Sequence, residues 1–207
     1  MNIGLKLSVI VTALLLVSCV TTDGPTDSMG RSIKLTEKGN FQPRESKFNS
    51  FVFLEAGPKY STKKIERNNG TVITEVISWD GGHSEFYVEH VRQAWFSDST
   101  QRSIESLSKL EEMAQDLNIP ASAFVDVARP APKMVGWVAS NNDCSVGYFG
   151  KRLKTRTHYS NERGNIDTII AFKTCGALTE SAETIAHKFD LASPADLAAI
   201  AATHRAE

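Results

Sequence analysis

The sequence predicts an α+β domain, in which an antiparallel sheet of about five or six strands carries helices packed on one face or end. Three observations lead there. Runs rich in β-branched and aromatic residues recur between clusters of Gly, Pro, Asn and Asp. Two stretches, 99–117 and 179–204, instead repeat their apolar residues at helical spacing. No internal repeat or low-complexity block divides the chain, and its 207 residues suffice for one domain with a substantial core.

The elements follow in order. Phe48 to Ala56 reads as a strand, stopped by Gly57-Pro58. Lys63, Lys64, Arg67, Asn68, Asn69 and Gly70 make a basic, turn-like segment. Thr71 to Trp79 is rich in β-branched residues and reads as the next strand. Asp80 to His83 is a turn, and Ser84 to Phe96 returns. That return mixes weak alternation with helical spacing; the glycine turn after a strong strand favours a hairpin.

Ser97, Asp98 and Ser99 offer caps for a helix over 99–117, with Ile104, Leu107, Ala114 and Leu117 near one face. Asn118 and Pro120 end it. A short helix or strand follows over 121–128. Lys133 to Ala139, Cys144 to Leu153 and Ile166 to Cys175 then read as strands. The last two form a hairpin, with 154–165 as a long loop. Thr179 to Phe189 is helical, and Ser193-Pro194 caps and opens a final short helix to about His204. Trp79, Trp95, Phe96 and Trp137 read as core.

The first nineteen residues are of another kind. Lys6 is their one charge, Leu7 to Val17 is apolar, and Ser18 stands directly before Cys19. The apolar run is short for a spanning helix and suits a signal segment. Leu16-Val17-Ser18-Cys19 resembles the lipobox of bacterial lipoproteins, and the resemblance covers residues 1–19 only. It implies cleavage before Cys19 and acylation of Cys19 on its sulfur and its new amino group. Each buried CH₂ adds about 0.8 kcal/mol, so several chains on one residue hold a protein on a membrane. Val20 after the cysteine implies the outer membrane, facing the periplasm. The expected layout is a signal peptide over 1–18, a lipidated tether over 19–46 and a domain over 47–207.

In an exported chain the even remainder, Cys144 and Cys175, reads as a disulfide. Neither cysteine has the close spacing of a zinc or redox pair. A register placing Cys144 against Cys175 also sets Tyr148 against Ala171 and Phe149 against Ile170, so bridge and apolar pattern agree. Losing residues 1–18 takes only Lys6 from the 23 basic and 24 acidic side chains, leaving 22 against 24. That balance gives no reason to expect nucleic acid.

No P-loop, G-x-G-x-x-G, G-x-S-x-G or HExxH pattern appears, so no cofactor, metal or catalytic residue is assigned. Lys151, Arg152, Lys154, Arg156, His158 and Arg163 form a basic run. It reads either as a solvated loop or as a contact for an anionic partner, an envelope protein or lipid head groups. His83, Glu85 and Glu89 share one strand face, with His90 on the other. His83, Glu85 and His90 are the only candidates for a cell-wall or lipid hydrolase. The leading expectation is a non-enzymatic binding or scaffolding lipoprotein of the cell envelope. A carrier of a small apolar ligand is a further alternative.

Overall fold

A computed structural model describes residues 25–26, 42–44, 51–52, 61–67, 72–79, 84–92, 95–130, 132–153, 165–176, 181–193 and 195. In chain order the elements are β1 (Pro25–Thr26), β2 (Gln42–Arg44), β3 (Phe51–Val52), β4 (Ser61–Arg67), β5 (Val72–Trp79), β6 (Ser84–Val91), β7 (Trp95–Phe96), α1 (Asp98–Glu105), α2 (Ser108–Asp116), a 3₁₀ turn (Ala121–Ala123), β8 (Phe124–Asp126), β9 (Arg129–Pro130), β10 (Lys133–Ser140), β11 (Cys144–Lys151), β12 (Thr168–Cys175), α3 (Ala182–Lys188) and β13 (Asp190–Leu191). The class is α+β, but among the described residues the main antiparallel sheet has nine strands rather than five or six, in the order β2-β4-β5-β6-β12-β11-β10-β8 with β9 also on β10.

Two of the extra strands hide behind charge. β4, STKKIER, lies where the lysines suggested a turn, yet Thr62 and Ile65 are buried while Lys63 and Glu66 face water. Lysines on a strand near a sheet edge keep it from pairing with another chain. β2 carries Pro43, which suits an edge. It lies before residue 47, so the sheet begins earlier than the expected domain boundary. β1, within the stretch read as tether, pairs with β7.

The hairpin β11–β12 has the expected register: Cys144 opposes Cys175, Tyr148 opposes Ala171 and Phe149 opposes Ile170. The Cys144–Cys175 disulfide closes its open end, with the Cα atoms 4.1 Å apart. The return strand β6 is extended, as the glycine turn implied. Gly147 and Gly150 mark close packing: a Cβ at Gly147 would strike the Phe172 ring, and one at Gly150 would strike Ile166.

Helices cover both faces of the sheet, not one. On one face α3 packs with Phe51 and Phe189 over Ile73, Phe86, Phe149, Ile170 and Phe172. Phe86 and Phe172 stack at 4.8 Å between ring centres, and Phe51 stacks on Phe189 at 5.5 Å. On the opposite face Ile104 of α1 joins Val72, Val91, Val135 and Ile166, while Leu110 and Ala114 of α2 join Ala139 and Val146. Fully burying a side chain of this size contributes about 1.5–3 kcal/mol, so these two layers clamp the sheet between them.

The single helix expected over 99–117 is two. Ser97 caps α1 by accepting from the Thr100 N–H. At the other end the Ser106 hydroxyl donates to the Ser103 carbonyl at 2.7 Å, and the Trp137 indole donates to the Glu105 carbonyl at 2.9 Å. These bonds occupy carbonyls that a continuing helix would use, and Ser106 turns extended. α2 ends with Asn118 in the left-handed region, φ 53°. Ile119 N–H returns to Ala114 and Asn118 N–H to Gln115, a Schellman closure. The stretch 121–128 holds both a 3₁₀ turn and a strand. Within the expected helix over 179–189, α3 starts at Ala182, where Ser181 accepts from the Thr184 N–H. The expected final helix falls outside the described residues, apart from Ala195.

Candidate functional site

The basic run divides at its first members. Lys151 is buried at 6% exposure. Its ammonium donates to the carbonyls of Ala186 (3.3 Å), His187 (2.7 Å) and Phe189 (2.5 Å) at the end of α3. A cation is favourable at a helix C-terminus, where the last carbonyls lack partners. Burial pulls the Lys151 pKa down, Asp190 pushes it up, and Arg129 lowers it. Lys151 is therefore a tie between sheet and helix, not a surface contact. Arg152 is half-buried and its N–H donates to the Lys133 carbonyl at 2.8 Å. Lys154, Arg156, His158 and Arg163 lie outside the described residues, as do Cys19 and His83.

The hydrolase candidates do not meet. Register places Glu85 opposite Ser78 and Lys173, on the α1/α2 face. His90 lies opposite Ile73 and Thr168, on the α3 face, 1% exposed. The sheet separates the two side chains.

What His90 joins is a buried polar chain that sequence reading missed. Thr168 donates to Asp167 Oδ1 at 2.8 Å, so its oxygen accepts from His90 Nδ1, also 2.8 Å away. This assigns the neutral imidazole a proton on Nδ1. The same Asp167 oxygen accepts the Leu153 N–H at 2.9 Å, bridging the two ends of the β11–β12 connection. Burial, helped by Arg92, holds the His90 pKa down to about 4, against a hydrogen bond with the Asp167 backbone. Burial lifts Asp167 to about 6, against the bonds from Leu153 and Thr168 and the charge of Arg152. Both groups are enclosed, with Phe51 edge-on to His90 at 5.9 Å. They brace the fold and present no reactive atom to solvent.

The α1/α2 face also carries polar and aromatic side chains across several strands, with Tyr148 packed against the clusters that α1 and α2 form. There Val76, Tyr87, Ala171 and Tyr148 form one row across β5, β6, β12 and β11. Tyr87 is 37% exposed, and Val76, Ala171 and Tyr148 are half-buried. Beside the row lie Thr74 and Glu89, paired across strands, and Arg67 of β4. Arg67 Nη2 donates to Thr74 Oγ1 at 2.8 Å. Arg67 Nε is buried with no hydrogen-bond partner among the described residues.

Burial raises the Glu89 pKa, and Arg67 lowers it. Burial is also the main cause raising Tyr87, with Glu89 adding to it, and raising Tyr148, where Lys109 opposes. Tyrosine hydroxyls stay protonated donors here. Glu89 was legible as sharing a strand face with Glu85, and Tyr87 was not singled out; Arg67 was hidden because its strand reads as a turn in the sequence.

Among the described residues, no group of three His, Cys, Asp or Glu side chains is placed to hold a metal ion. No described helix is long and apolar enough to cross a membrane. No family model, curated protein or solved structure matches the chain.

Proposed function

We propose that the protein is a lipid-anchored lipoprotein of the bacterial cell envelope, held by acyl chains on Cys19, and that its domain binds or scaffolds a partner there without catalysis. The observation that carries this reading is Leu16-Val17-Ser18-Cys19 closing an apolar segment. The Cys144–Cys175 disulfide supports it, because such bridges persist in oxidising compartments. The outer membrane, facing the periplasm, is the location that Val20 favours. Of the basic run, Arg152, Lys154, Arg156, His158 and Arg163 are the candidate contact for an anionic partner; the buried Lys151 is not. The separation of Glu85 from His90 across the sheet takes support from a hydrolase, and the phenylalanines filling the α3 layer take it from an apolar-ligand carrier.

The test is mass spectrometry of the protein extracted from membranes of the host that encodes it, alongside a Cys19→Ala variant. The expected result is a chain that begins at Cys19 with acyl mass on it, and a variant that leaves the membrane fraction. A chain that begins elsewhere, or carries no acyl group, ends the anchored reading.

A further inference from the structure

We infer that the end of the main sheet carrying Arg92, Arg129, Lys133 and Arg152 docks on anionic lipid head groups of the membrane that holds Cys19. This deepens the anchored reading and rests on it. The anchor has a short reach. Pro25 follows Cys19 by six residues, so at about 3.6 Å each the chain between them spans roughly 20 Å at most. Pro25 pairs with Phe96 of β7, and the Phe96 N–H donates to the Ile166 carbonyl at 2.9 Å. Ile166 stands just before β12 begins, at the end of the sheet named above. The tether therefore enters the fold there. A flexible chain of that length averages about 13 Å, within two screening lengths of about 8 Å each.

Charge is sorted along the strands. Val72 opposes Val91, the Val91 N–H donates to the Asp167 carbonyl, and the Arg152 N–H donates to the Lys133 carbonyl, which sets these residues in one terminal row. Arg92 follows Val91 and is exposed, as is Arg129, which pairs with Met134; Lys133 and Arg152 are half-buried. Leu153 and Asn165 also lie here, so the chain between them starts and finishes at this end. It brings Lys154, Arg156, His158 and Arg163 against Glu162 alone. Of the acids at this end, Asp167 is buried, and Asp98 is exposed and accepts from the Asn165 amide at 3.2 Å. At the opposite end, the Asn141 amide holds the Leu117 carbonyl beside the β10–β11 turn, and Asp116 and Asp143 are exposed there, with Lys173 opposite Glu85. An anionic head-group layer fits this polarity, with the acidic end turned away. Each basic residue near such a layer strengthens binding roughly fivefold, so several act together where one is weak. An acidic protein would meet the same charges, but only the bilayer is kept at high local concentration by the acyl chains.

The experiment uses the full acylated chain in vesicles of phosphatidylcholine, alone or mixed equally with phosphatidylglycerol. A fluorophore is attached in Ala128→Cys, beside Arg129, or in Asn142→Cys, at the far end; both positions are exposed. Energy transfer to a head-group-labelled lipid reads how near each position lies to the bilayer. The expected result is transfer several-fold stronger from position 128 than from position 142 on phosphatidylglycerol vesicles. That difference should shrink at high salt and in the double variant Arg92→Glu, Arg129→Glu. Both arginines are exposed, so the change spares the core, and thermal unfolding verifies it. Equal transfer from the two positions, the same difference on phosphatidylcholine alone, or a full difference in the double variant overturns the inference. Crosslinks from position 128 to an acidic protein, with no dependence on lipid charge, assign this end to a protein and overturn it too. An acylated chain with equal transfer sinks this inference and leaves the anchored reading standing. A chain without acyl mass that sediments with phosphatidylglycerol vesicles, and not with phosphatidylcholine, does the reverse.

Discussion

Removing either His90 or Asp167 should expose a pH dependence of stability that the pair conceals. The sign of each contribution is fixed by its pKa. Asp167 is raised from 3.8 to about 6, so the folded protein holds that proton more tightly than the unfolded chain. The cost of its buried charge is in force above pH 6 and is relieved as pH falls toward 3.8. His90 is lowered from 6.5 to about 4, so the unfolded chain holds that proton more tightly. Its contribution is lost as pH falls through the same range. At 1.36 kcal/mol for each tenfold change in proton affinity, each is worth about 3 kcal/mol, with opposite sign. Neither group is solvent-exposed, so screening by water does not cut these figures heavily.

The two slopes should therefore offset each other in the wild-type chain between about pH 4 and 6. Measured against wild type, His90→Gln should gain about 3 kcal/mol on acidification from pH 6.5 to 4, because only Asp167 then titrates. Asp167→Asn should lose about as much. Urea unfolding at several pH values, with the m-value held constant, is the assay. If both variants keep the wild-type slope, or both bend the same way, the compensation argument is wrong.

Two further outcomes are expected. The double change Cys144→Ser, Cys175→Ser should cost about 3–4 kcal/mol in denaturant unfolding, from the chain entropy released over a separation of 31 residues. Lys151→Met should cost about 2–3 kcal/mol by stranding the last carbonyls of α3, and hydrogen exchange should show α3 losing protection before β11.

The sequence made some of this plain and hid the rest for physical reasons. The β11–β12 register was legible because two independent constraints, a pair of sulfurs and an apolar pattern, admit one common solution. Strand β4 was not, because Lys63, Lys64 and Arg67 look like a solvated turn until the neighbouring strand is there to bury Thr62 and Ile65. The break between α1 and α2 depends on Trp137, 32 residues beyond Glu105, and no local pattern carries that contact. Lys151 belongs by sequence to a charged run and by structure to the end of α3, 35–38 residues away. The tyrosine row needed the order of the sheet, since its members come from strands far apart in the chain.

The hairpin β11–β12 is fastened at both extremities, by sulfur at the first and by the Asp167 carboxylate on the Leu153 amide at the second. The chain joining 153 to 165 therefore leaves and re-enters the sheet at points that these two fastenings fix. Drift or grafting there can rewrite the sequence freely while strand pairing stays where it is, so novelty is cheapest to acquire at that address.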